Sequence, residues 1–242
     1  MHLSTNGICA VLFDLDGTLR YNVPSHNQTF FDYAADLGAP DSPEKRRTTQ
    51  RWIHYYWAQS PELREDVEAY GNLTDEFWNF YGYRILRWFG CEEGEATYSM
   101  GAAIQLRMEE EFHSEDRLGE GVLATLETLQ AAGFAMGVAS NRGKPYDEQI
   151  ASLGLDKYFA FALAAGSIQS WKPDPEIFLH ALNLLGVSPQ QTLYVGDNYF
   201  ADVIGARRAG LHPVLIDPEG VFPDADCPVI CSIGELLPLL GN

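Results

Sequence analysis

The stretch Ile8-Cys9-Ala10-Val11-Leu12-Phe13-Asp14-Leu15-Asp16-Gly17-Thr18-Leu19 decides the fold. It opens with an unbroken apolar run, the pattern of a strand buried on both faces of a parallel sheet. A charge has no place inside such a strand. Asp14 and Asp16 therefore belong where the strand leaves the core, at its carboxyl end, which is where open α/β sheets receive ligands. Gly17 frees the backbone there for a sharp turn or a close approach. Cys9, inside the run, reads as a small core residue.

Taken alone, an Asp-x-Asp pair reads equally well as a solvated turn. Three later segments weigh against that. Phe134-Ala135-Met136-Gly137-Val138-Ala139 is a second apolar strand, ending in Ser140-Asn141. Trp171-Lys172-Pro173-Asp174-Pro175 places a lysine ahead of a helix start, with Pro175 suited to an early helical position. Thr192-Leu193-Tyr194-Val195 is a third buried-strand pattern, closing on Gly196-Asp197 with Asp202 beyond it. Helix capping would account for Asp197 and Asp202 one at a time, since acids favour a helix N-terminus. It does not account for three later segments that each carry a different polar group, a serine, a lysine and an aspartate.

This ordered set resembles the haloacid dehalogenase superfamily of phosphatases and related hydrolases. Asp14-x-Asp16-Gly17-Thr18, Ser140, Lys172, and Gly196-Asp197 with Asp202 match its four motifs in order, across residues 14–202. The resemblance implies an α/β fold: a doubly wound, Rossmann-like parallel sheet with an α-helical cap domain. It also implies that Asp14 is a nucleophile forming an aspartyl-phosphate intermediate, which splits one hard displacement into two easier ones. Asp16 would be the general acid for the departing alkoxide and then the base that activates water. That double duty calls for a closed site that raises its pKa. Ser140 and the backbone amides near Leu15 and Asn141 would donate to phosphoryl oxygens, alongside Lys172.

A phosphate monoester is doubly negative, so an attacking carboxylate meets repulsion unless cations neutralise both partners. Lys172 is one such cation and a divalent metal is the other. The ligand inventory is carboxylate oxygens, a carbonyl and water, without an organised histidine or thiolate cluster, and it favours Mg²⁺. Asp14, the main-chain oxygen of Asp16, and Asp197 match the superfamily's direct ligands. Asp202 acts through a water or orients Lys172.

The reaction class turns on Asp16. Dehalogenases that resemble this chain lack a carboxylate there, because halide needs no proton on leaving, and phosphonatases replace it. A sugar-phosphate mutase keeps it and differs in whether water or a sugar hydroxyl receives the phosphoryl group. A phosphoaccepting receiver-type switch combines an aspartate, a hydroxyl residue, a lysine and Mg²⁺ on a parallel sheet, but it has neither the general acid nor a large insertion. The sequence thus points to a Mg²⁺-dependent phosphomonoesterase acting on a small phosphorylated metabolite, with the mutase second. Arg20 and Trp171 are the candidates for substrate specificity. A cation one loop from Asp14 can meet a second anionic group, and Trp171 is bulkier than the small or polar residue expected beside the lysine. His26 and Lys144 read as capping or solvated residues.

Composition agrees with an enzyme of small anions. The chain has 242 residues, 46% of them hydrophobic, and 16 basic against 34 acidic side chains for a net charge of −18. That balance argues against nucleic acid and against an anionic membrane as partners, and it leaves substrate capture to a local cationic pocket. No early stretch has the basic start and apolar run of a signal peptide, and no run approaches membrane-spanning length, so a cytoplasmic location is expected. Cys9, Cys91, Cys227 and Cys231 form neither a disulfide framework nor a zinc site. Asn27-Gln28-Thr29 and Asn72-Leu73-Thr74 match the glycosylation pattern by chance.

Along the chain, residues 1–20 and 116–242 read as the Rossmann-like catalytic core and 21–115 as the helical cap. Helices are expected near 25–38, 43–58, 74–89 and 94–113, with starts at Pro24-Ser25, Asp41-Ser42-Pro43 and Leu73-Thr74-Asp75-Glu76. The insertion holds 18 of the 30 aromatic residues. Most should pack a small helical bundle, which needs large side chains to build a core from few residues. Tyr55-Tyr56-Trp57 cannot all face inward on one helix, so some aromatic surface is expected to meet the core, a partner or substrate.

Overall fold

The computed structural model describes residues 7–241. The chain begins with β1 (Ala10–Phe13) and β2 (Arg20–Val23), then runs through α1 (His26–Asp36), α2 (Pro43–Trp57), α3 (Pro61–Tyr70), α4 (Asp75–Phe89) and α5 (Glu95–Glu111). From β3 (Glu115–Leu118) strands and helices alternate: α6 (Val122–Ala131), β4 (Ala135–Ser140), α7 (Asp147–Ser152), β5 (Ala162–Ala164), α8 (Ala165–Ile168) and α9 (Pro175–Leu185). The chain closes with β6 (Thr192–Gly196), a π-turn over Tyr199–Val203, α10 (Ile204–Arg208), β7 (His212–Ile216), β8 (Val229–Ile230) and α11 (Leu236–Leu239). Two compact units result, one of residues 1–21 and 117–242, the other of 22–116.

In the first unit the strands form a six-stranded sheet of order β5-β4-β1-β6-β7-β8, parallel throughout. This is the α/β, doubly wound, Rossmann-like core expected of the apolar runs. β1 lies at its centre, with Phe13 opposite Val138 on one side and Val195 on the other. The chain crosses from β1 to β4 and β5, then returns to β6 and continues outward. The order thus reverses beside β1, and ligand crevices form at such reversals, beyond the carboxyl ends of the strands.

The two-residue period of the strands divides the core into two layers. Val11, Phe13, Val138, Leu193, Val195, Val214 and Ile216 pack on one face with helix α6. Leu12, Ala139 and Tyr194 pack on the other with Ile177, Phe178 and Leu182 of α9. Asp174 caps α9 by accepting from the Glu176 amide at 2.9 Å, with Pro175 behind it. One expectation fails: Cys9 is exposed, not core. Its backbone joins the ladder through Gln191 and Ala135, but the regular strand starts at Ala10. At the amino end of the sheet the ladder outruns its apolar cover.

The second unit has five helices where the pattern predicts four. Ser60 accepts from the Leu63 amide at 3.0 Å and Pro61 opens the extra helix α3. Ser42 and Thr74 start α2 and α4 by the same device. Phe31, Trp52, Tyr56, Phe77, Tyr81 and Phe89 share one buried core, against which Tyr55, Trp57 and Trp78 pack partly buried. Tyr56 is fully enclosed, its hydroxyl donating to buried Asp66, which also pairs with Arg84. Trp57 donates to the Tyr81 hydroxyl at 2.8 Å. Much of the aromatic content is thus absorbed by the bundle itself. Among the described residues no helix is long and apolar enough to cross a membrane.

Candidate active site

The carboxyl ends of β1, β4 and β6 deliver Asp14, Ser140 and Asp197 side by side. The Asp14 amide extends the ladder to Val195 at 2.9 Å, which holds the carboxylate at the sheet edge. A tight turn follows, in which the Leu15 carbonyl accepts from the Leu19 and Arg20 amides and Gly17 donates to the Arg20 carbonyl at 2.8 Å. Gly17 has φ +79°, and a Cβ there would collide with the Asp197 carboxylate. A side chain at Gly196 would likewise meet Asp202. Both glycines are present because acidic side chains pack against bare backbone.

Lys172 lies at the centre of the site and is 2% exposed. Its ammonium donates to Asp14 at 2.6 Å, to Asp202 at 2.7 Å and to the Tyr194 hydroxyl at 3.0 Å. Three protons thus meet three oxygens. Asn141 holds the lysine backbone from both directions, its amide donating to the Lys172 carbonyl at 2.9 Å and its carbonyl accepting the Lys172 amide at 2.6 Å. The Tyr194 hydroxyl in turn donates a hydrogen bond to the Ala139 carbonyl at 2.8 Å. Asp202 is 1% exposed and accepts the Asn198 amide at 2.9 Å with its other oxygen. The capping oxygen for the following turn comes from Asn198, which accepts from the Phe200 and Ala201 amides.

Among the described residues Asp14, Asp197 and Asp202 offer carboxylate oxygens within 4.8 Å of one another. Three such groups face one ammonium, and the imbalance shows in their acidity. Burial, then the neighbouring Asp202 and Asp16 carboxylates, push Asp14 up to about 7 despite Lys172. Burial and the Asp14 and Asp202 charges hold Asp197 well above the ordinary carboxylate range. Burial would lower Lys172, but Asp14 and Asp202 outweigh it and keep the ammonium charged. A hard divalent cation fits this donor set, because it would relieve a repulsion that the protein leaves uncompensated.

Asp16 sits differently. Its side chain is 39% exposed, so it does not occupy the closed surroundings expected for it. Arg142 grips both carboxylate oxygens, Nε to Oδ2 and Nη2 to Oδ1, each at 2.8 Å, and Arg20 Nη1 reaches Oδ1 at 3.1 Å. The turn after β1 carries Asp16 outward to the rim, where cations rather than apolar walls surround it. Ser140 ends β4 and is 3% exposed. Leu15 is fully buried beneath the loop. Trp171 packs against the apolar layer of Leu12, Phe178 and Tyr194.

The pattern of strand ends therefore brings Asp14, Asp16, Ser140, Asn141, Lys172, Asp197 and Asp202 to one place. It gave no sign of Tyr194, an apolar-looking position inside a buried strand, nor of the paired bonds from the Asn141 side chain. Arg142 flanks the Ser140 motif in the sequence, but its pairing with Asp16 shows only in the structure.

Comparison with known proteins gives the chain its relatives. The chain is 29% identical over 199 residues to haloacid dehalogenase-like hydrolase domain-containing protein 3 of Bos taurus, covering 79% of this chain and 78% of that one. It is 25% identical over 234 residues to phosphoglycolate phosphatase 1 of Pseudomonas aeruginosa, covering 94% and 78%. A solved structure, the 2-haloacid dehalogenase of Pseudomonas syringae pv. tomato DC3000, superposes with a TM-score of 0.54 at 26% identity over 97% of this chain and 98% of that one. The family model described as haloacid dehalogenase-like hydrolase matches residues 8–210, the whole span from β1 through the turn beyond Asp202, and the chain belongs to that family.

Proposed function

We propose that this chain is a Mg²⁺-dependent phosphomonoester hydrolase that works through an aspartyl-phosphate on Asp14. The observation that carries the reading is the carboxylate of Asp16 on the same loop as Asp14, at the exposed rim. A halide leaves without a proton, whereas an alkoxide leaving from phosphorus needs one, and a carboxyl beside the nucleophile supplies it. The crowded acids support the same reading. A carboxylate attacking a neutral carbon has no need of a cation site, while one attacking a phosphate dianion does.

The steps use the chain's own groups. Asp14 attacks phosphorus as the ester P–O bond breaks, and Asp16 gives its proton to the departing oxygen. Asp16 then takes a proton from water, whose oxygen attacks the phosphorus of the acyl phosphate, freeing phosphate and restoring Asp14. Lys172 keeps Asp14 oriented and balances charge, and Ser140 with the amides near Leu15 and Asn141 holds the phosphoryl oxygens. Asp14, the Asp16 carbonyl and Asp197 would hold Mg²⁺, with Asp202 behind them on Lys172; the ion supplies positive charge against the phosphate when bound. The phosphoglycolate phosphatase relative is named for this class of reaction.

The test is phosphate release from a panel of phosphorylated metabolites, run beside halide release from 2-haloacids. Mg²⁺-dependent phosphate release from a subset of the panel is the expected result. Halide release without phosphate release overturns the reading, and phosphoryl transfer between sugar phosphates without release replaces it with the mutase.

The acidity of Asp14 sets a second expectation. Its folded pKa is raised to about 7, so the metal-free protein holds a proton there below that pH. Mg²⁺ must displace that proton, and its apparent affinity falls by up to about tenfold per pH unit for each proton released. Calorimetric titration should therefore give weaker binding by roughly tenfold or more at pH 5.5 than at pH 8, with proton release on binding at the lower pH. Equal affinity at both values would remove Asp14 from the ligand set.

A further inference from the structure

Asp16 has a mount of its own. Four of the five N–H groups of Arg142 are carried by Nη1 and Nη2, and the fork meets the Asp16 carboxylate in the bidentate geometry that fixes a plane as well as a distance. The remaining terminal nitrogen, Nη1, donates to Gln149 of α7. The guanidinium carbon lies 5.0 Å from the ring centroid of Tyr146, and Tyr146 is pinned by its hydroxyl on the Leu163 carbonyl at 3.0 Å. Arg142 is thus held by Asp16 in front, Gln149 of α7 behind and the Tyr146 ring beside it.

We propose that Arg142, set by Gln149 and Tyr146, is the positioning residue for Asp16. It fixes the plane and direction of the acid–base carboxylate without touching the phosphoryl group. The inference rests on the phosphomonoesterase reading above. The turn after β1 fixes the backbone of Asp16 and Arg20 reaches one of its oxygens, but the plane of the carboxylate is set only where Arg142 closes on both. Proton transfer needs alignment within about 10–20°. A lysine at 142 keeps the charge and loses the plane, so Arg142→Lys separates geometry from electrostatics.

The experiment compares kcat/KM for p-nitrophenyl phosphate, whose leaving group departs unaided, with glycerol 2-phosphate, whose alkoxide needs a proton, and with phosphoglycolate, which adds a carboxylate. Arg142→Lys should lower kcat/KM about ten- to a hundredfold for both alkyl esters and less than about threefold for the aryl ester, a share of the 10²–10⁴ that general acid catalysis supplies. In an Asp16→Asn background the same change should cost nothing further, since both residues act through one proton. Gln149→Ala, which loosens the mount from outside the site, should give the same pattern more weakly.

Equal losses on all three esters would overturn the proposal in favour of a structural role. A loss confined to KM for phosphoglycolate would overturn it in favour of substrate binding by Arg142, and additive losses in the double variant would show that Arg142 does not act through Asp16. Wild-type protein that releases no phosphate from these three esters or from any member of the metabolite panel overturns the phosphomonoesterase reading itself and the positioning role with it.

Discussion

Asp14→Asn is expected to reduce turnover by about 10⁴-fold or more, the scale on which removing a covalent nucleophile acts. It should do so without unfolding the protein. Asn matches protonated Asp in shape, and Asp14 is a group whose charge the fold resists. Burial and the Asp202 and Asp16 carboxylates raise its folded pKa to about 7. A group raised in this way adds stability below its unfolded pKa, near 4, and that contribution is lost as the pH climbs through about 7. At pH 8 in the presence of a chelator the Asn variant should therefore melt no lower than wild type, and higher if the repulsion among Asp14, Asp197 and Asp202 dominates over the lost bond to Lys172. Added Mg²⁺ should raise the wild-type midpoint and leave the variant close to where it was. Thermal melts with and without Mg²⁺, beside phosphate release, check both halves. Retained turnover would exclude Asp14 as the nucleophile, and a variant that melts far below wild type at pH 8 would mean that the pair with Lys172 outweighs the repulsion.

The central sheet was readable in the chain because each buried strand is an uninterrupted apolar run that stops at a polar group. Val11-Leu12-Phe13 ahead of Asp14 and Leu193-Tyr194-Val195 ahead of Asp197 say both where the strand lies and which end faces the ligand. What lay out of reach depends on neighbours far away in sequence. Tyr194 reads as one more apolar strand residue until the lysine 22 positions earlier is seen to donate to its hydroxyl. Arg142 and Asp16, 126 positions apart, pair only because β4 lies beside β1. Cys9 was misplaced for a related reason: an apolar run marks the ladder but not how far the covering helices extend over it. The extra helix α3 was a different failure, since Ser60-Pro61-Glu62 carries the same start signal as Ser42-Pro43-Glu44 and local chemistry was enough to find it.

Lys172→Met is the substitution with the largest expected effect on stability. Methionine fills the lysine's volume and removes the charge, which leaves Asp14 and Asp202 buried beside Asp197 with no cation. Breaking a buried pair by deleting one partner costs about 3–5 kcal/mol, and for a domain of this size that lowers the thermal midpoint by roughly 10 °C. The wild-type ammonium is charged throughout the working range, because Asp14 and Asp202 overcome burial and hold it above the ordinary lysine value. The deficit in the variant should therefore follow the carboxylates rather than the lysine. At pH 8 the penalty is the larger, because without the ammonium that lowers it Asp14 is pushed up further still, and the fold must either bury its charge or hold a proton against the solution. At pH 5, well below the value of about 7 for Asp14, that group already carries a proton and the penalty shrinks. Mg²⁺ at pH 8 should restore part of the lost midpoint, since a divalent ion among the same three acids replaces the missing charge. It should not restore turnover, because nothing then holds the Asp14 oxygen that Lys172 contacts at 2.6 Å. Melting curves at pH 5 and pH 8, with chelator and with Mg²⁺, give the answer in four measurements. An Lys172→Met midpoint that tracks wild type under all four conditions would mean that the acids are not ionised around the lysine, and that the charge balance of the site is other than the one derived from these contacts.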